Sequence, residues 1–155
     1  MKMSKIVRTG ANILYPLVLI FGLYIVLHGH LTPGGGFQGG AVIATGVVLV
    51  IVANSYEAVT GMLQKVVFKA QESIGLLLFI GVAAIAITLG LPFFYNFLAN
   101  SGSIFGLSVP FGPNHGDLNT AGLIPIMNIA VGIEVWGGLT VIILSMLSGL
   151  DRKEA

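Results

Sequence analysis

The chain has 155 residues, 55% of them hydrophobic and 8% charged, with a formal net charge of +1. A soluble globular domain carries about 25% charged residues, so this composition cannot cover a water-exposed surface, and apolar runs near the roughly 20 residues that cross a bilayer recur along it. The near-neutral charge gives no affinity for nucleic acid, and the absence of cysteine excludes disulfides, thiolate metal sites and thiol catalysis.

Lys2, Lys5 and Arg8 precede the first apolar segment, as in a signal peptide. No small-residue cleavage site follows Leu27, so the segment is read as a retained helix over about 11–28. Pro16 falls in the first turns of that helix, where a missing amide hydrogen costs least. A glycine-rich turn leads to a second helix over about 39–60, closing on Asn54, Ser55, Tyr56 and Glu57. A short polar joint holding Lys65 and Lys69 comes next, then a third helix over about 72–91, stopped by Pro92. Residues 92–120 mix aromatics with Pro110, Pro113 and Asn114-His115-Gly116-Asp117 and read as a structured outer loop. The last run, about 121–148, is longer than a span requires and has room for tilt or a kinked start at Pro125. The expected fold is all-α: one integral membrane domain over 1–155, with four transmembrane helices, crossing the plasma membrane several times.

Lys2, Lys5, Arg8, Lys65, Lys69, Arg152 and Lys153 are all seven cations of the chain, and all fall on one side of this map. The positive-inside rule then places both termini and the joint in the cytoplasm, with the loops at 28–40 and 92–120 outside. Three or five spans would split the cations between the two sides.

The most distinctive string is Thr32-Pro33-Gly34-Gly35-Gly36-Phe37-Gln38-Gly39-Gly40. Glycine admits positive φ and close backbone approach, and proline stiffens the start of the turn. A nucleotide-binding loop would need Gly-Lys-Ser/Thr opening a helix, and this string has no lysine. Two readings stay open for it: a tight outer turn packed on neighbouring helices, or close approach to a partner subunit or an ion path.

His28-Gly29-His30 followed by Pro33-Gly34-Gly35-Gly36-Phe37-Gln38-Gly39-Gly40 resembles the signature of the MnhB/MrpB-type member of multisubunit Mrp-type sodium/proton antiporters. The likeness extends over most of the chain, because that family also has four spans with this loop after the first. The same subunit type is built into archaeal membrane-bound hydrogenases and related sulfur-reducing complexes. The resemblance therefore implies a small companion subunit without cofactors, in a complex handling Na+ and H+ with larger antiporter-like subunits and, in some hosts, hydrogenase or other redox subunits. It also implies a role in subunit packing for Pro33, Gly34, Gly35, Gly36, Phe37, Gly39 and Gly40. Antiporter members often carry an aspartate followed by Gly-Val in the last helix; here Asn128-Ile129-Ala130-Val131 stands in that place, and Glu134 is the nearest acid.

Glu134 lies about 20 Å along the last helix from Ala121 at about 1.5 Å per residue, and an acid that deep in a span points by default to proton or cation passage. The plain structural reading, a hydrogen-bonded glutamate locking helices together, weighs about the same. Asn128 and Gly132 share a helical stripe suited to a subunit contact. Glu57 and Glu72 are placed near the cytoplasmic ends of helices two and three. An ion entrance is one reading for each, but acids at helix ends more often meet water or nearby lysines, and that reading is favoured, more so for Glu72. His28, His30, His115 and Asp117 share the outer side. No spacing compels zinc binding, so hydrogen bonding within the loops is preferred for the histidines, with Asp117 as an attractor of cations to an outer mouth. With no nucleophile and base pair and no cofactor fingerprint, an enzyme is the weakest reading. A self-standing oligomeric channel or transporter remains the alternative to a complex subunit.

Overall fold

The computed structural model describes residues 3–54, 58–59, 63–108 and 118–151, with side chains given through Gly149. Four helices account for most of them: α1 Lys5–Leu27, α2 Gly36–Asn54, α3 Lys65–Thr88 and α4 Ile124–Asp151. All four are long and apolar enough to cross a membrane.

Each helix starts or stops for a local reason. Ser4 caps α1, its Oγ accepting from the Val7 amide at 3.4 Å. Gly35 precedes α2 and donates its amide to Gln38 Oε1 at 2.8 Å, the return half of a capping box. Gly34, at φ +115°, makes the bend before it. The start of α4 is held by Asn96, whose Nδ2 donates to the Ala121 carbonyl at 3.0 Å while its Oδ1 accepts from the Leu123 amide at 2.9 Å. That clamp lies where Ala121 (φ 68°) and Gly122 (φ 64°) turn the chain from the loop into the helix. Across the loop, Leu107 pairs with Thr120 in an isolated parallel bridge.

Two boundaries differ from the sequence pattern. Helix α1 begins at Lys5, so Pro16 sits in its interior and the Asn12 carbonyl lacks its usual helical donor. Helix α3 begins at Lys65, inside the predicted joint, because Phe68 is buried and Lys65 donates to Ser148 Oγ at 2.8 Å, which anchors the polar stretch as a first helical turn. Glu72 therefore stands seven residues inside its helix, about 10 Å from its start, and not at its end.

The helices lie side by side in the order α1, α2, α4, α3, and α3 packs on α4 alone among its described neighbours. Glycines line every seam. Between antiparallel α1 and α2, a Cβ on Gly39 would sit 2.7 Å from the Gly22 carbonyl oxygen. Helices α2 and α4 run parallel, and a Cβ on Gly40 would lie 2.7 Å from the Gly132 carbonyl oxygen. Between antiparallel α3 and α4, Gly75 meets the Ala130 carbonyl and the Glu134 amide, and Gly137 meets Phe68 and Glu72. Small residues let backbones approach where lipid offers no hydrophobic drive for helix association. Toward the inner, cation-bearing end the seams widen and are filled by Val47, Ile51, Val59, Phe68 and Leu144, with Trp136 edge-on to Phe68 at 6.4 Å.

Candidate functional site

Gly137 and Gly138 let the α3 backbone come close to α4 around residues 68–72. Gln71 Nε2 donates to the Ile133 carbonyl at 3.2 Å, and Glu72 Oε1 would be 3.4 Å from a Cβ on Gly138. Glu72 and Glu134, both half-buried, thus line one open groove of about 160 Å³ with Phe37, Val135, Gly138, Leu139 and Ile142. Gly75 sits opposite Ala130 and Glu134, while Glu72 sits opposite Gly137 and Gly138, so the two carboxylates stand about one helical turn apart in height. Glu134 is ten residues into α4, about 15 Å from its start. Both acids therefore lie well inside membrane-length helices.

In so apolar a groove, two carboxylates cannot both stay ionised without a counter-charge. Sharing a proton or holding a cation relieves the repulsion. Sequence reading singled out Glu134 and set Glu72 aside as a helix-end acid. The signal that places Glu72 deeper is Phe68 between Lys65 and Lys69, an apolar residue at helical spacing within a stretch otherwise read as polar.

The glycine turn is a second constellation. A Cβ on Gly36 would clash with the Asn128 carbonyl oxygen, and one on Gly35 would lie 3.1 Å from Asn128 Oδ1. The close approach expected of this turn toward neighbouring subunits is made here onto α4 of the same chain, and the Asn128–Gly132 stripe faces that turn and α2. Phe37 points away from this contact and is 60% exposed. His28 stacks on Tyr24 at 4.0 Å and its Nδ1 lies 3.1 Å from the Tyr24 carbonyl oxygen, and both ring nitrogens of His30 are shielded from solvent. Neither histidine lines the groove with the two glutamates. Among the described residues no three His, Asp or Glu side chains converge as a metal site would require. Glu57, His115 and Asp117 lie outside the described residues.

Several known proteins share this architecture. A chain of the membrane-bound sulfane sulfur reductase, an archaeal respiratory membrane complex, superposes with a TM-score of 0.74 at 34% sequence identity, covering 95% of this chain and 59% of that one. An uncharacterised protein of Methanocaldococcus jannaschii is 39% identical over 127 residues, 80% of this chain and 45% of its own length. The second subunit, B, of the Na+/H+ antiporter of Bacillus subtilis is 33% identical over 88 residues, 57% of this chain and 61% of its own. The chain thus spans about half the length of the first two. The family described as a domain related to the MnhB subunit of Na+/H+ antiporters matches residues 6–141. With four apolar spans and that match over most of its length, this multi-pass membrane chain belongs to the MnhB-related family.

Proposed function

We propose that this chain is a non-catalytic membrane subunit of a Mrp-type monovalent cation/proton antiporter module, and that Glu72 and Glu134 form a carboxylate pair past which a cation or proton moves at a junction with neighbouring subunits. The observation that carries the reading is their shared groove at mid-depth of two membrane-length helices. Phe37, exposed at the rim of that groove, is the side chain a neighbouring subunit would cover. The partners are larger antiporter-like subunits, and the 34% identity to the sulfane sulfur reductase chain supports redox subunits among them. The cation-bearing end faces the cytoplasm.

The test is transport by the assembled complex in inverted membrane vesicles, with assembly followed by co-purification. Glu134→Gln and Glu72→Gln each lower cation-dependent proton exchange severalfold while the subunits still co-purify. Unchanged exchange in both variants would reduce the pair to a structural contact. Recovery of the chain alone, as a defined oligomer, would sink the subunit reading and favour a small channel.

A further inference from the structure

At the cation-bearing end, Lys5, Arg8, Thr9 and Asn12 line a polar cavity of about 310 Å³. Their spacing of three, one and three residues puts them on one face of α1, beginning at its capped N-terminus. Arg8 is held in place by α2: its Nε donates to Asn54 Oδ1 at 3.0 Å, and Asn54 Nδ2 is fixed on the Val50 carbonyl at 3.1 Å. That leaves the Arg8 Nη hydrogens, the Lys5 ammonium and the Thr9 hydroxyl as donors toward the cavity. Asn12 also lines a second cavity, of about 280 Å³, whose other walls are Tyr15, Val47, Val50, Val59 and Leu63. The two cavities meet at Asn12, so one groove is cationic at its outer end and apolar at its inner end. Among the described residues no carboxylate lines either part.

We propose that this groove binds one anionic phospholipid, its phosphate at Lys5, Arg8 and Thr9 and an acyl chain along Tyr15, Val47, Val50, Val59 and Leu63. The argument for a lipid over a free phosphate is the continuity of the two halves, because a phosphate ion has nothing to place among four aliphatic side chains and a tyrosine. The argument for an anionic lipid is the two fixed cations with no acid beside them. The position agrees, since basic residues at span ends meet lipid headgroups. This inference stands apart from the ion-path reading, because none of the groove's described residues lines the Glu72–Glu134 groove.

The test uses the full chain, and separately the complex purified with it, in nanodiscs of phosphatidylcholine doped with phosphatidylglycerol, with bound lipid counted by native mass spectrometry. The chain is expected to retain one phosphatidylglycerol, preferred roughly tenfold over phosphatidylcholine. Lys5→Ala with Arg8→Ala removes the preference but not all lipid, and Val50→Trp removes bound lipid of either kind by filling the apolar half. If the double variant does not fold, Lys5→Ala alone, at an exposed side chain, is expected to lower the preference, and Thr9→Glu to abolish it. Equal retention of both lipids by the wild type overturns the proposal. So does a preference unchanged by Lys5→Ala or by Thr9→Glu, or competition by millimolar inorganic phosphate, which would mark a free-anion site. An empty groove in the complex when the isolated chain holds lipid would also overturn it, by giving the groove to a neighbouring subunit.

Discussion

Helices α2 and α3 have nearly the same mean hydropathy, 2.0 and 1.9, yet half of the spanning window of α2 is buried against 17% of that of α3. Transfer into the bilayer treats them alike, and packing does not. Helix α2 carries Gly22-facing Gly39 and Tyr15-facing Gly46 on one side, and Gly36 and Gly40 on the other, so it admits a neighbour on both flanks. Helix α3 has one glycine that touches anything, Gly75, while Gly81 meets nothing within 4 Å and Leu77, Ile80 and Ile87 are exposed. In a bilayer, hydropathy decides which segments enter and small residues decide which segments meet. The bare face of α3 is satisfied equally by lipid tails or by another subunit.

The comparison breaks most severely at Gly40. A valine there puts Cβ 2.7 Å from the Gly132 carbonyl oxygen and 3.0 Å from Val135 Cβ, atoms that cannot swing aside as a flexible side-chain end would. Overpacking a close seam costs about 1–3 kcal/mol, and a backbone clash more. Gly40→Val is expected to remove most of the chain from the membrane fraction, measured by quantitative immunoblot, and Gly81→Val to leave its level unchanged. Wild-type levels for both would mean that the α2–α4 seam is not a close backbone contact.

A finer cut lies within α3 itself. At Gly75 an alanine would meet the Glu134 amide nitrogen at 2.6 Å and the Ala130 carbonyl oxygen at 2.8 Å, whereas at Gly81 it meets open space. Gly75→Ala should cost about 1–3 kcal/mol, and Gly81→Ala should be neutral or stabilising by up to about 1 kcal/mol through helix propensity. Reversible unfolding in mixed micelles measures both. Equal effects would show that α3 is held to α4 by something other than this contact.

The spans themselves are legible in the sequence, because apolar length is a local property of the chain. The glycine string after α1 is equally plain as a turn that must be shaped. Its target is not: nothing in the order of residues says that Gly35 and Gly36 close onto Asn128, far along the chain, since helix neighbours are set by interfaces that share one apolar character. Glu72 shows a second limit. Lys65 and Lys69 mark a loop by composition, yet a lysine on a first helical turn can carry its charge to the interface along its stem, so the helix starts under them and takes the acid deeper. Glu134 was visible because its sequence neighbours carry no charge.

The smallest expected effect concerns the buried face of α4 beyond the glycine seam. Thr140 is fully buried, one turn from Trp136 and one from Leu144, and its hydroxyl has no hydrogen-bond partner among the described residues. Leaving a buried hydroxyl unpaired costs about 1–3 kcal/mol, and valine keeps the branched shape without the polar atom. Thr140→Val is therefore expected to stabilise the chain by about 1 kcal/mol, a little less than the desolvation cost because the methyl fit is imperfect. Thr140→Ser keeps the hydroxyl, gives up a methyl and should destabilise by about 1 kcal/mol. Both are read from the same micelle unfolding curves. If Thr140→Val destabilises while Thr140→Ser does not, the hydroxyl finds a partner in the folded membrane protein, and the inner half of α4 is held by hydrogen bonding where its outer half is held by glycine.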